Sequence, residues 1–111
     1  MKVLFVNSDR IGRGDHQLGA KLMGSFFYAL VRAEDKPDSV VLMNSGVRLA
    51  CKGSPALADI RLLASDGVKV YSCGTCLDFF GIKDKLAAGE VGNMNDSVAM
   101  MMAADEVVSI G

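Results

Sequence analysis

The chain has 111 residues, of which 50% are hydrophobic and 23% charged, and its formal net charge is -1. This length suits one domain with one hydrophobic core, and the composition is that of a folded protein rather than a disordered one. Nucleic-acid binding usually needs a clustered basic face, and a membrane span needs roughly 20 apolar residues. Neither is present, so we expect a single domain over residues 1–111 that binds neither nucleic acid nor membrane.

The cysteine content bears on the compartment. Three cysteines are present, and the chain opens directly into the strand-like run Val3 to Val6, with no pattern of a signal peptide. An odd number of cysteines without a secretion signal disfavours a disulfide scaffold and favours a reducing compartment. We therefore expect a cytoplasmic protein whose cysteine chemistry is transient.

The first half of the chain alternates between strand and helix patterns. Val3 to Val6 is a buried strand, and a polar, glycine-containing loop from Asn7 to Asp15 follows it. A helical pattern then runs from about Asp15 to Ala33. Its predicted buried face carries Leu18, Leu22, Phe26 and Leu30, with Met23 and Phe27 beside them. Val40 to Met43 is the second buried strand.

The segment after the second strand is predicted to be a loop that contains Arg48, Cys51 and Gly53. A helix is expected to start at Ser54-Pro55, because serine can cap free N–H groups and proline suits the first helical position. This helix should end at Gly67, and the third strand runs from Val68 to Ser72.

The last third of the chain has shorter elements. A helical turn from Cys76 to Phe80 should end at Gly81, Lys83 to Ala88 could form another, and Val91 could lie in a brief fourth strand. The remaining predictions are a helix capped by Asn93 and a final strand from Glu106 to Ile110. Alternating strands and helices imply parallel pairing, so we predict a small three-layer, doubly wound, mostly parallel α/β sheet of about five strands.

The most informative motif is Cys73-Gly74-Thr75-Cys76, which directly follows the third strand. Two intervening residues allow the sulfurs to meet, so the pair can hold or resolve a disulfide. At a helix start, backbone N–H groups and the helix dipole stabilise a thiolate. The motif predicts cysteine-based redox chemistry or sulfur transfer. Inert buried cysteines, and a zinc site that would need Cys51 and His16 as further ligands, are the alternatives.

The predicted topology collects polar residues around this pair. In an open parallel sheet, functional groups gather outside the carboxyl ends of the strands. The loops after the first three strands should therefore share one edge with Cys73 and Cys76. The residues expected there are Asn7, Ser8, Asp9, Asn44, Ser45, Gly46, Gly74 and Thr75.

Two other features have less specific interpretations. Gly12-Arg13-Gly14-Asp15 lies where a phosphate-binding loop would lie, but it has only the first two glycines of the dinucleotide fingerprint, and Asp15 would repel phosphate. His16 is the only histidine, and a solvent-facing position is its simpler interpretation. We expect no metal and no cofactor.

The residues also carry a family resemblance. Asn7-Ser8-Asp9, Leu42 to Val47, Ser72 to Gly81 and Gly92-Asn93-Met94 resemble the DsrE/DsrF-like family, and most of all the DsrE-like half of YedF, a sulfurtransferase-like selenium metabolism protein. The TusA-like domain that YedF usually carries has no counterpart in this sequence. The resemblance covers essentially the whole chain.

The resemblance implies a cytoplasmic homo-oligomer, trimeric or larger, that takes part in sulfur or selenium transfer. Its partner would be a persulfide or selenium donor or acceptor protein, with a TusA-like protein as one candidate. Counted back from Gly81, Cys73 occupies the place of the persulfide-carrying cysteine, and Cys76 would be the resolving thiol. The alternatives are a non-catalytic oligomeric binding or scaffold module with redox-sensitive cysteines and, less favoured, a nucleotide- or flavin-binding domain.

Overall fold

The computed structural model describes residues 1–111 and contains a five-stranded sheet with the order β4-β3-β2-β1-β5. The elements in chain order are β1 (Lys2–Val6), α1 (His16–Arg32), β2 (Ser39–Leu42), α2 (Leu57–Ser65), β3 (Lys69–Cys73), α3 (Gly74–Phe80), β4 (Glu90–Gly92), α4 (Met94–Ala103) and β5 (Glu106–Ile110). All four strand pairs are parallel. The predicted parallel α/β sheet is therefore confirmed.

The helices form two unequal layers. The main hydrophobic core joins alternate residues of the central strands to α1, α2 and α3, as shown by Leu4, Val40 and Val70 in the same cluster as Met23 and Ile60. No residue of α4 belongs to that core. The chain passes from β4 at one edge of the sheet to β5 at the other, so α4 crosses the opposite face. On this face Val3 and Val41 at the centre of the sheet are buried, whereas Val107 on the edge strand is exposed.

Next to the cysteine pair, the connections that follow two neighbouring strands lead to opposite faces of the sheet. The connection after β3 leads to α3 on the main core side, whereas the connection after the neighbouring β4 leads to α4 on the other side. A crevice between strands whose connections diverge is where open α/β sheets bind ligands. Cys73 lies at this point, because its Cα pairs with that of Gly92 on β4.

The buried face of α1 differs from the predicted one. The buried residues are Gly19, Met23 and Phe27, whereas Leu18 is 53% exposed and Leu22 is also exposed. Gly19 explains the rotation, because an added Cβ there would lie 3.0 Å from both Arg10 Cβ and Ile11 O. The helix turns its glycine toward the preceding loop, which moves the buried stripe by one position.

Several element boundaries also differ from the sequence prediction. Asn44–Ala50 is a 3-10 helix rather than a loop. The helix predicted from Ser54 begins at Leu57, and α3 begins at Gly74 rather than at Cys76. Lys83–Lys85 forms only a short 3-10 turn. The expected cap of α4 is confirmed, since the Asn93 side chain accepts a hydrogen bond from the Asp96 N–H.

None of the helices combines the length and the apolar character required to cross a membrane.

Candidate functional site

The cysteine motif lies where β3 changes directly into α3. Cys73 is the last residue of the strand and the N-cap of the helix, and Gly74 is the first helical residue. A glycine suits position 74, because a Cβ there would lie 3.1 Å from Val91 Cγ1 and 3.3 Å from Gly92 O. Because β4 lies so close, there is no space for a side chain at position 74. No loop residue separates β3 from α3.

Cys76 lies in the first turn of α3 and faces the residue that follows β2. Its Sγ accepts a hydrogen bond from the backbone N–H of Asn44 at 3.1 Å. Asn44 has a φ of 51°, in the left-handed region where asparagine is among the better tolerated residues. The Asn44 Oδ1 accepts a hydrogen bond from the Ser45 N–H at 2.8 Å, which holds this turn in place. The predicted proximity of Asn44 to the cysteine pair is thus observed.

The environment of Cys76 favours its protonated form. Burial is the main cause that raises its pKa, and a hydrogen bond with Cys73 raises it further. The Asn44 N–H acts in the opposite direction and lowers the pKa, as expected for a donor directed at a developing thiolate. Cys73 is itself buried, with 8% exposure, and all three cysteines are free thiols.

A shallow groove of about 270 Å³ opens beside Cys76. It is lined by Asn44, Thr75, Cys76, Phe79 and Phe80. The two phenylalanine rings pack edge to face at 5.5 Å, and Phe79 is 85% exposed. Cys76 rather than Cys73 is therefore the sulfur that borders a solvent-accessible space.

The loop after β1 reaches the pair only indirectly. Ser45 Oγ accepts a hydrogen bond from the Asp9 N–H at 3.1 Å, so this loop is fastened to the turn that carries Asn44. Gly46 makes the contact possible, because a Cβ there would lie 2.6 Å from Val6 O. Ser8 forms a local turn, in which its Oγ accepts from the Arg10 N–H at 3.0 Å.

Asn7 lies farther from the cysteines than the predicted cluster implied. Its N–H donates to Ile110 O at 3.2 Å, and its side chain lies against Gly111, so it faces the β5 side. The strand order explains this placement, since β2 separates β1 from β3 by two strand spacings, about 10 Å. The structure thus brings together the loops after β2 and β3 and leaves Asn7 outside.

The remaining candidate residues lie elsewhere. Asp15 caps α1 by accepting a hydrogen bond from the Leu18 N–H at 2.8 Å, so a carboxylate occupies the position that a phosphate would need. His16 is exposed at the start of that helix. No three His, Cys, Asp or Glu side chains converge in a way that could hold a metal ion.

Cys51 belongs to the core and not to the pair. Its thiol donates to Val47 O at 3.4 Å, and its pKa is raised, with burial as the main cause. Phe80 was not among the predicted site residues, nor was Arg48, whose guanidinium lies 4.4 Å from the Phe80 ring centre. Local sequence patterns give no signal for the contact between Arg48 and Phe80, because the two residues are 32 positions apart in the chain.

Comparisons with known proteins agree with this architecture. In the solved structures, the chain is similar to the ychN protein from E. coli, with a TM-score of 0.74, 21% identity and coverage of 98% of this chain and 97% of that one. It is also similar to the protein MTH1491 from Methanobacterium thermoautotrophicum, with a TM-score of 0.67, 18% identity and coverage of 97% and 96%. At these identities the likeness concerns the fold alone.

A third similar structure, BT1422 from Bacteroides thetaiotaomicron, has a TM-score of 0.62 and 13% identity, with coverage of 98% of this chain and 94% of that one. Among proteins with curated descriptions, none matches the chain significantly. The model of the DsrE/DsrF-like family matches residues 1–110. The chain therefore belongs to the DsrE/DsrF-like family.

Proposed function

We propose that this protein carries or relays sulfur or selenium as a cysteine persulfide, with Cys73 as the carrier and Cys76 as the resolving thiol. The family is associated with sulfur relay, which favours chalcogen transfer over other thiol chemistry. The observation that carries the proposal is the arrangement at the start of α3. There, Cys73 is the N-cap and Cys76 lies in the first turn, and the Asn44 N–H donates to the Cys76 sulfur at 3.1 Å.

The transfer takes place in two steps. The Cys73 thiolate attacks the outer sulfur of a donor persulfide, the donor's S–S bond breaks, and the donor leaves as a thiolate. Cys76 then loses its proton and attacks the Cys73 sulfur, which releases hydrosulfide and leaves a Cys73–Cys76 disulfide. An external dithiol reduces this disulfide and restores both thiols. Selenium would follow the same path and leave as hydroselenide.

The electrostatics of Cys76 support its place in the second step. A raised pKa keeps Cys76 protonated at neutral pH, so it does not compete for the incoming donor. The Asn44 N–H remains available to stabilise negative charge when the Cys76 sulfur ionises. The low exposure of Cys73 shields its perthiol from oxidants in bulk solvent.

A protein donor is the partner that we propose, and the resemblance to the DsrE-like half of YedF makes a TusA-like carrier and a selenium cargo the first candidates. The exposed Phe79 beside the cysteine groove supports docking of such a carrier, because exposed aromatic rings are favoured contact residues. We place this exchange in the reducing cytoplasm.

Intact-mass analysis after exposure to a low-molecular-weight persulfide tests this assignment. We expect Cys76→Ala to keep one added sulfur atom, because the resolving thiol is missing. Cys73→Ala should gain none at the pair. Cys51→Ala, as the matched control, should behave like the unaltered chain and end as a disulfide. Loading of Cys73→Ala to the level of the unaltered chain would contradict the role of Cys73.

The second candidate function is a non-catalytic oligomeric module. It is favoured by the apolar stripe of Met94, Val98 and Met102 on the outer side of α4, where all three side chains are exposed. Under this alternative, none of the cysteine variants would retain sulfur, while self-association would persist.

A further inference from the structure

A groove of about 330 Å³ lies away from the cysteine pair. Its walls come from α1, from the segment between the 3-10 helix and α2, and from the turn around Lys85. Arg48, Lys52 and Lys85 are its cationic residues, and Asp9 is its only acidic one. Three cations thus converge in one groove of a chain whose net charge is -1.

Two of these cations are held opposite each other by the backbone. Cys51 and Leu86 form an isolated antiparallel bridge, which places Lys52 directly across from Lys85. The Lys52 N–H donates to Lys85 O at 2.9 Å, and the Ala87 N–H donates to Ala50 O at 2.9 Å. Like charges directly opposite on paired segments destabilise the pairing. A negative charge bound between the two lysines would relieve this repulsion.

The chain itself does not supply that negative charge. Neither lysine forms a salt bridge, and the contact of the Arg48 guanidinium is with the Phe80 ring. The Asp9 carboxylate has Arg10 as its neighbouring cation, at 3.9 Å. Asp84 is adjacent to Lys85 in sequence but does not line the groove. In addition, the Gly53 N–H at the rim forms no hydrogen bond within the chain.

We propose that this groove binds a small molecule through a tetrahedral oxyanion group, held by Lys52, Lys85 and Arg48. Ammonium and guanidinium donors form their strongest hydrogen bonds with such anions. The volume falls at the lower end of the range for small-molecule sites, so it admits an oxyanion together with a modest organic part. Cys51 and the neighbouring apolar residues form the floor beneath it. This site is independent of the persulfide chemistry proposed for Cys73.

Calorimetric titration with inorganic phosphate, thiosulfate and a nucleoside monophosphate at constant ionic strength tests the proposal. We expect saturable binding of at least one of them to the full chain. The Lys52→Gln/Lys85→Gln variant should bind about tenfold more weakly or worse, the effect of losing one or more charge-assisted hydrogen bonds. The control Lys36→Gln/Lys69→Gln removes the same charge away from the groove and should bind like the unaltered chain.

The relative affinities identify the source of the oxyanion. Tighter binding of phosphate or thiosulfate indicates a free inorganic anion, and tighter binding of the nucleoside monophosphate indicates the phosphate group of a larger molecule. A second readout does not depend on the ligand. In anion-free buffer of low ionic strength, Lys52→Gln/Lys85→Gln should unfold at a higher temperature than the unaltered chain, because the repulsion is removed.

The proposal is overturned if none of the three probes binds. It is equally overturned if the two double variants bind alike. Cys73→Ala should bind the probes as the unaltered chain does, which separates this site from the cysteine pair.

Discussion

Burial and the neighbouring Cys73 thiol raise the pKa of Cys76, whereas the backbone N–H of Asn44 lowers it. The net effect is a raised pKa. We therefore predict that alkylation of Cys76 rises with pH through a midpoint above the ordinary cysteine value of about 8.5. Cys73→Ala should lower this midpoint, because one of the causes that raise the pKa is lost. The midpoint should still lie above the ordinary value, since burial is the larger cause.

Mass-spectrometric mapping of iodoacetamide labelling over a pH series measures this midpoint for each cysteine separately. Cys51→Ala is the control and should leave the midpoint of Cys76 unchanged. A midpoint for Cys76 at or below that of a free cysteine would contradict the structure.

Ser72 offers a second test at the scale of single residues. Its hydroxyl is fully buried at the end of β3 and has no hydrogen-bond partner. Because nothing is lost when an unpartnered hydroxyl is removed, we expect Ser72→Ala to leave the free energy of unfolding unchanged or to raise it by up to about 1 kcal/mol.

Urea denaturation measures this change, and Ser54→Ala is the matched comparison. Ser54 Oγ accepts a hydrogen bond from the Ala56 N–H at 3.1 Å, so its removal should cost about 1 kcal/mol. Equal losses for the two variants would show that the Ser72 hydroxyl has a partner.

The sequence predicted the cysteine pair and its nearness to Asn44, but not the groove beside it. The spacing of Cys73 and Cys76, together with the strand before them, is enough to place the sulfurs at a helix start. The donor to Cys76 is a backbone N–H, which every residue but proline carries, so side-chain identity gives no signal for it. The stacking of Arg48 on Phe80 depends on tertiary geometry alone.

Among the elements, the junction of β1 with the turn after β2 depends on the absence of a side chain at Gly46. We expect Gly46→Ala to lower the free energy of unfolding by roughly 2 kcal/mol or more, because its Cβ would lie 2.6 Å from the backbone oxygen of Val6. Gly24→Ala is the matched control within α1, where a Cβ meets nothing within 4 Å.

At Gly24 the same substitution should stabilise the protein by about 0.5–1 kcal/mol, since alanine is the better helix former. Thermal and urea unfolding of both variants provide the measurement. Equal effects at the two positions would mean that the loop after β2 moves away from β1 without cost.

Hydrophobic patterns did not predict every boundary or every buried face of the elements. The period of α1 was recognised, but its buried face is rotated by one position, because the contact of Gly19 with the preceding loop decides which side faces the sheet. The 3-10 helix at Asn44–Ala50 was expected to be a loop. Its length is too short for a periodic signal, and the spacings of its buried residues Val47, Leu49 and Ala50 fit a strand and a helix equally.

For the molecule as a whole, the exposed apolar surface on the α4 side of the sheet predicts self-association. Val107 of β5 lies on this face and is exposed, as is the stripe Met94, Val98 and Met102 on α4. We expect a homo-oligomer in which a second copy covers these side chains. Light scattering coupled to size exclusion should give a mass above that of one chain.

Charged residues within this surface should separate the copies. Val98→Asp combined with Met102→Asp should yield a monomer with an unchanged far-UV circular dichroism spectrum. Leu62→Asp places a charge at an exposed apolar position on α2 and should leave the oligomer intact. The prediction is wrong if the unaltered chain is monomeric at micromolar concentrations, or if Leu62→Asp alone dissociates it.

The alternation of strands and helices was sufficient to predict a parallel sheet, since parallel strands need crossover connections. The position of β5 beside β1 was not predicted. Its exposed Val107 and Val108 carry the same apolar pattern as a buried strand, so composition does not reveal that β5 is an edge strand. Strand order follows from which helices share a face, and this is a property of the whole molecule.

The direct passage from β3 to α3 has a consequence for the speed of chemistry at the pair. Cys73 and Cys76 are three residues apart at a helix start, which is close to the spacing that a disulfide requires. Because hydrogen bonds of the strand fix one cysteine and those of the helix fix the other, closing and opening an S–S bond there needs side-chain rotation and little backbone movement. Side-chain rotation is faster than the movement of whole elements, so rearrangement of the fold would not limit turnover at this pair.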